Sequence, residues 1–360
     1  MSSVPTPTWL SDLRRDGYAV IPGLIDANGC SELRDGFWRY WGRISGGNIR
    51  QDTPKSWSNI KEYYPNHGML IQHWSIGHMQ EIWNLRASKP VQNVFETIWN
   101  TPDLVVSFDG ASTGLAPEVT GRGWHRKDWL HLDQSPHRSG FECVQGWVTA
   151  NPVETGDGTL TLLKGSHLLH GSFATHFGMK EDPEYRKDWL KLDDAQVDWY
   201  KNQGCEQLAV ECPAGSMVLW DSRTVHAGRG PVKGRATARN RIVSYISMMP
   251  AALLKNGERR KKKIAVLEGR LTSHWAAQRV KLFGKYPRTY GKPLPPIPKY
   301  EIPLLTEDGA RLAGWERPEE CPLLIEDPQA RKEAVVQALQ ALKPTKKRKK
   351  SRTQQQSNKK

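Results

Sequence analysis

The chain has 360 residues, a formal net charge of +14, 38% hydrophobic residues and fifteen tryptophans, which is apolar material for one large core or two small ones and too much for a disordered polymer. No apolar run approaches the ~18 residues of a membrane helix and the first residues lack a signal-peptide core, so an intracellular protein, cytoplasmic or nuclear and without a membrane partner, is expected. Cys30, Cys143, Cys205, Cys212 and Cys321 form no Cys-x-x-Cys pair, which argues against a zinc or disulfide framework and for free thiols in a reducing compartment.

In chain order, Trp9 to Arg15 reads as a short helix and Tyr18-Ala19-Val20-Ile21-Pro22 as extended. Asp26 suits the N-cap of a helix running through Leu33 and Phe37 to Tyr40 and Trp41. Residues 45–73 read as loops; their Trp57, Tyr63 and Tyr64, with Trp74 just beyond, either pack or line a substrate entrance. Residues 76–100 are helical but interrupted by Pro90, with Val91, Val94, Phe95, Ile98 and Trp99 at helical spacing. Leu104 to Asp109 alternates as a strand that Gly110 ends.

A glycine-rich loop over 110–128 then leads into Trp129-Leu130-His131-Leu132-Asp133-Gln134. In a strand, residues i and i+2 share a face, so His131 and Asp133 present an imidazole and a carboxylate to one point. Alone, His-x-Asp is a weak signal. His226, in Trp220-Asp221-Ser222-Arg223-Thr224-Val225-His226, can complete a two-histidine, one-carboxylate set, the donor set of a non-haem Fe(II) oxygenase with positions left open for a co-substrate and O2. His125 is six residues before His131 in a loop and reads as a substrate-side or solvent residue.

Phe141 to Ala150 reads as a strand with Cys143, Gln145, Trp147 and Thr149 on one face. If that face looks inward, Gln145 and Thr149 need a partner there, and a bound anion beside a metal would supply it. Thr159 to Leu163 is a further strand, ending at Gly165-Ser166-His167, where His167 reads as a turn residue. Residues 168–208, charged and with a helix candidate over 182–191, look like an insertion, either a lid or a solvated excursion. After Met217 to Asp221, Arg239-Asn240-Arg241-Ile242-Val243 opens another strand, in which Arg239 and Arg241 share a face. A planar guanidinium fits the far carboxylate of a dicarboxylate co-substrate bidentately; the competing reading is a surface arginine in a basic protein.

These residues, in this order, resemble the phytanoyl-CoA dioxygenase family of Fe(II)/2-oxoglutarate oxygenases. The resemblance runs from Asp16-Gly17-Tyr18-Ala19-Val20-Ile21-Pro22-Gly23 through His131-Leu132-Asp133, Gln145-Gly146-Trp147, Gly156-Asp157-Gly158-Thr159-Leu160, Gly165-Ser166-His167 and Pro213-Ala214-Gly215-Ser216 to His226 and Arg239, roughly residues 10–250. It implies that His131, Asp133 and His226 hold iron, that Arg239 holds the distal carboxylate of 2-oxoglutarate, and that Trp147 lines the co-substrate pocket. The loop from His226 to Arg239 is long and basic, so Arg241 is the alternative for that carboxylate. Ser107 and Asp109 fall on a strand that contributes to the active-site wall in resembling proteins.

The implied fold is a mainly β double-stranded β-helix, a cupin-like jelly roll over about 104–247, braced by flanking helices within an oxygenase domain at 8–250. Beyond it, 251–342 reads as a helical and proline-rich extension, with helices over 264–279 and 330–342 and a basic patch at 256–263. Residues 343–360 carry nine Lys or Arg and no acid, leaving only +5 of the +14 elsewhere, and should be disordered. Lys346-Lys347-Arg348-Lys349-Lys350 reads as a nuclear-import or nucleic-acid contact, or as a solubilising tail. Oxidative hydroxylation of a small molecule, with an anionic one weakly favoured by the basic surface, is the expected activity. The opposing class is a non-catalytic jelly-roll binding module that contacts nucleic acid or protein through its basic extensions.

Overall fold

The structure is a computed structural model that describes residues 6–63, 69–287, 291 and 293–342. The expectations for Tyr64 and for the tail at 343–360 fall outside the described residues. In chain order the helices are α1 Thr8–Asp16, α2 Ala27–Ile44, α3 Gln80–Ala87, α4 Lys89–Trp99, α5 Pro117–Thr120, α6 His170–His176, α7 Asp194–Asn202, α8 Asn256–Glu268, α9 Glu307–Leu312 and α10 Pro328–Leu342. The strands are β1 Tyr18–Ile21, β2 Leu70–Ile71, β3 Leu104–Val106, β4 Ala111–Gly114, β5 His131–Leu132, β6 Val144–Thr149, β7 Thr159–Leu163, β8 Leu190–Lys191, β9 Gln207–Ala209, β10 Met217–Asp221, β11 His226–Arg229, β12 Arg241–Ile246 and β13 Met248–Pro250. Among the described residues, no helix is long and apolar enough to cross a membrane.

Alternation along the strands builds two sheets. A six-stranded sheet runs β1-β10-β6-β12-β4-β2 and a five-stranded sheet β8-β5-β11-β7-β9. On the large sheet, Val20, Trp147, Val218 and Val243 point to one face and meet Leu160, Leu162 and Val210 of the small sheet in a shared apolar layer. The next residues along, Ala19, Val148, Leu219 and Ile242, point the other way and meet the helices. The small sheet's outer face, through Leu132, Leu163 and Ala227, packs on Phe173 of α6 and Tyr200 of α7. Helices thus back both sheets, a larger role than bracing the flanks of a mainly β fold.

The helices form where caps and apolar spacing agree. The Asp26 carboxylate accepts the Gly29 N–H at 2.8 Å and starts α2, whose buried Leu33, Phe37, Tyr40, Trp41 and Ile44 recur every three or four residues. Burying one such side chain contributes about 1.5–3 kcal/mol. Residues 76–100 split at Ser88, which lets Pro90 sit in the first turn of α4 where its missing N–H costs nothing. Two expected helices are corrected. Residues 182–191 form a single 3₁₀ turn and strand β8, with the regular helices of the insertion on either side of them. The helix expected at 264–279 begins earlier, so the basic patch is itself the first half of α8.

The C-terminal third is not an appendage. Ala265, Val266, Leu271, Leu312, Trp315 and Val335 join the same core as α2 to α4. Thr272 brackets Phe108: its N–H donates to the Phe108 carbonyl at 3.0 Å and its hydroxyl accepts the Phe108 N–H at 2.9 Å. Lys262 of α8 is fully buried, donating to the Val106 carbonyl with its ammonium 4.1 Å from the Phe108 ring centre. Burial pulls its pKa down to about 7.

Two histidines make stability pH-dependent. Burial holds His78 at about 3 and His170 at about 4, each with its Nε2 against a backbone carbonyl. Unfolding returns both towards the ordinary value near 6.5, so below that pH the unfolded chain binds protons that the folded chain refuses. Their contribution is full above about pH 6.5 and declines as pH falls, by up to ~2 kcal/mol each at pH 5. The melting temperature should therefore drop between pH 7 and 5, and less so in His170→Gln; equal slopes for the two proteins would refute this.

Candidate metal centre

The central pair arises from strand register. β5 and β11 are antiparallel neighbours with His131 directly opposite His226, so two imidazoles come side by side, ring centres 4.4 Å apart. Asp133 follows immediately after β5 and turns its carboxylate towards both: Oδ2 lies 3.6 Å from Nε2 of His131 and 3.4 Å from Nε2 of His226. Among the described residues, these three are the set of histidine, cysteine and acidic side chains whose ligand atoms gather within 4.8 Å. Cis ligands on metal bonds of about 2.1 Å stand roughly 3 Å apart, so a cation needs only a small contraction of the triangle.

Hydrogen bonds at the far nitrogens set the tautomers. Nδ1 of His226 lies 2.8 Å from the Thr224 carbonyl and Nδ1 of His131 lies 3.2 Å from the Trp129 carbonyl. A carbonyl only accepts, so each Nδ1 carries the proton and each Nε2 turns a lone pair to the centre. Burial, and then the neighbouring His131, lowers the His226 pKa. At Asp133 burial works against ionisation, but the His131 and His274 imidazoles outweigh it and hold the carboxyl well below its ordinary range. One carboxylate facing two imidazole nitrogens is a donor set suited to Fe(II). The Trp220 indole N–H points at Nε2 of His226 from 3.1 Å and must yield to a metal there.

Rigid neighbours hold the triangle. Trp129 stacks on His131, ring centres 4.4 Å apart and 5° from parallel, and donates its indole N–H to the Gly228 carbonyl at 3.1 Å, bridging the two histidine strands. β8 pairs Lys191 with His131, so the insertion adds a strand beside β5. Its exposed Trp189 stands 6.3 Å from the His131 ring, while its helices back the small sheet.

From the facing sheet, Gln145 donates Nε2–H to Asp133 Oδ2 at 3.0 Å. Neither Gln145 nor Thr149 depends on a bound anion for a partner: Gln145 is held by Asp133, and the Thr149 hydroxyl donates to the Asn151 carbonyl at 2.6 Å. Gln145→Leu should weaken Fe(II) binding about 10- to 100-fold while the fold survives, the usual size of an outer-sphere loss. Fe(II) titration of the two proteins tests it, and equal affinities would refute the orienting role.

The two arginines differ in their partners. Arg239 precedes β12 on the long basic loop, paired with Glu154 at 2.5 Å and Asp157 at 3.4 Å. Arg235 anchors the same loop on Glu118 and Asp157 at 2.8 and 2.9 Å. Arg241 opens β12 on its inner face. It is 8% exposed, lies 5.1 Å over the Trp147 ring, and meets only neutral acceptors, the Ser112 hydroxyl at 3.2 Å and the Gly158 carbonyl at 2.9 Å. Trp147 is fully buried there, and its indole N–H has no partner. A cavity lined by Met69, Gly114, Gly158, Pro231, Arg239 and Arg241 opens beside them, so both arginines reach it and they differ in their partners. A buried cation without a counter-charge and an orphaned N–H suit an incoming carboxylate.

Other candidates fall outside this centre. Tyr63 and Trp74 belong to the core and Trp57 packs on Trp38, so none of them marks an entrance. His125 sits 3.8 Å from Asp128, and His167 is buried against the Arg14 carbonyl at 3.0 Å. The Ser107 hydroxyl donates to Asp109 at 2.8 Å; burial raises the Asp109 pKa, opposed by nearby His274. His274 itself was not foreseen, because it lies beyond the stretch that carries the motif.

Residues 13–232 match the family model described as Phytanoyl-CoA dioxygenase (PhyH). Ava biosynthesis cluster protein O of Aspergillus versicolor is 31% identical over 182 residues, 49% of this chain and 57% of that protein. Ectoine dioxygenase of Stutzerimonas stutzeri (strain A1501) is 24% identical over 227 residues, 61% and 69% of the two chains. The chain thus spans a little over half the length of the first of these relatives. The crystal structure of a putative oxidoreductase from Salmonella typhimurium LT2 superposes with a TM-score of 0.52 at 14% identity, covering 85% of this chain and 82% of that one, a likeness of fold.

Proposed function

This chain belongs to the phytanoyl-CoA dioxygenase family, and from that premise we propose that it is an Fe(II)/2-oxoglutarate-dependent dioxygenase that hydroxylates a C–H bond of a small molecule. The observation that carries the proposal is the convergence of Nε2 of His131, Nε2 of His226 and the Asp133 carboxylate between two sheets. The two facing sheets are read as the double-stranded β-helix of such enzymes. Bound iron, 2-oxoglutarate and O2 supply the oxidising power: one oxygen atom enters the substrate as hydroxyl, the other enters succinate, and CO2 leaves.

The protein's share is placement. His131, Asp133 and His226 would hold iron and would leave coordination positions for co-substrate and O2. Gln145 fixes the carboxylate that both imidazoles face. Two residues further along the same strand, Trp147 leads to Arg241, whose guanidinium takes the distal carboxylate of 2-oxoglutarate while the Trp147 N–H supplies a further donor. This assigns to Arg241 the role that the resemblance gave to Arg239. The apolar layer of Leu160, Leu162, Val218 and Val243 keeps water from the co-substrate.

Anaerobic addition of Fe(II) and then 2-oxoglutarate should produce the weak visible charge-transfer band of the chelate. No band from folded protein with bound Fe(II) would sink the 2-oxoglutarate reading and leave another metal-dependent activity.

A further inference from the structure

The segment that brackets Phe108 also delivers a side chain to the metal centre. Thr272 fixes its position, and the Ser273 N–H donates to the Lys281 carbonyl at 2.9 Å. His274 is thereby held with Nδ1 at 3.9 Å from Oδ2 of Asp133, the oxygen that also faces His131, His226 and Gln145. Its side chain is 15% exposed, and its Nε2 is buried with no hydrogen-bond partner. Asp109, held by Ser107, lies close enough to interact with it electrostatically. His274 stands outside the set whose ligand atoms gather within 4.8 Å, so the geometry does not make it a fourth ligand. At 3.9 Å the Nδ1 edge of His274 is beyond hydrogen-bonding distance of the Asp133 carboxylate, so that edge is suited to hold a small group bound beside Asp133.

We propose that His274 is a positioning residue for the open face of the iron site: its imidazole donates a hydrogen bond to a small accepting ligand, whether water, a diatomic gas or a substrate oxygen, bound beside Asp133. The inference rests on the iron-site reading above and extends it by making the C-terminal third part of the active site.

Nitric oxide is the probe. Wild type, His274→Leu, which fills the space without a donor, and His274→Gln, which keeps one, are loaded anaerobically with Fe(II) and 2-oxoglutarate. Each is then titrated with nitric oxide and followed by electron paramagnetic resonance. Affinities for Fe(II) and 2-oxoglutarate should stay within about twofold in both variants. The nitric oxide Kd should rise about 5- to 10-fold in His274→Leu and return to within about twofold of wild type in His274→Gln, as the loss and recovery of one hydrogen bond. His274→Ala serves as a second donor-free variant if the leucine fails to fold. A nitric oxide Kd unchanged without the donor overturns the proposal, as does a parallel loss of Fe(II) affinity, which would place the effect on the metal rather than on the ligand bound beside it. Failure of the wild type to bind Fe(II) would overturn the iron-site reading as well.

Discussion

Asp133→Ala is expected to abolish high-affinity Fe(II) binding, with at least a ~10³-fold loss, since even outer-sphere changes cost about 10- to 100-fold. The variant removes the only carboxylate of the triangle and leaves two imidazoles to hold a divalent cation. It also frees the Gln145 amide, whose remaining partner is the Ser222 hydroxyl at 3.4 Å. 2-Oxoglutarate turnover should fall to background while folding is retained, because Asp133 sits at a strand end whose backbone N–H bonds to the Ser222 carbonyl at 3.3 Å. Metal analysis after Fe(II) loading, with a melting curve as control, decides it. Wild-type metal content or turnover in the variant would remove Asp133 from the centre.

Arg241→Ala should raise the Kd for 2-oxoglutarate, read from the chelate band at saturating Fe(II), by ~10² or more, from the 2–5 kcal/mol typical of truncating one partner of a buried charge pair. Arg241→Lys should recover little, because an ammonium cannot reproduce the planar two-point contact. Arg239→Ala should change that Kd by less than about threefold, since its guanidinium is already engaged by Glu154 and Asp157. Without co-substrate, Arg241 is a buried cation with only neutral acceptors, so 2-oxoglutarate should also raise the melting temperature of the Fe(II)-loaded protein. The reverse ranking of the two alanine variants would return the role to Arg239.

What was legible in the residues follows the range of the forces involved. Period-two alternation showed that His131 and Asp133 share a face, and apolar spacing with the Asp26 cap located α2. Chain order alone brought in His226; the register that sets it opposite His131 belongs to the folded sheet. Arg239 and Arg241 have the same parity, so alternation could not choose between them. The choice depends on Glu154 and Asp157, more than 80 residues earlier, and on where β12 begins. Gln145 lies on the expected inward face, where its partner in the fold is Asp133. β8 escaped notice because a two-residue strand has no period to detect. His274 escaped because nothing within its own segment distinguishes it; its placement depends on Thr272 meeting Phe108, 164 residues away.

The bracketing of Phe108 by Thr272, with Lys262 sealed beneath Val106, has a consequence for exchanging parts between relatives. The family match ends at residue 232, yet the hydrogen-bonding complement of Phe108 and Val106 lies between 262 and 272. A chimera joined near residue 250 would set a foreign segment against those groups, leaving buried donors and acceptors unmatched and an ammonium without its niche. The stretch from 104 to 275 should therefore not be divided between parents. Hybrids that keep that stretch whole should stay soluble and take up iron, whereas those cut inside it should aggregate.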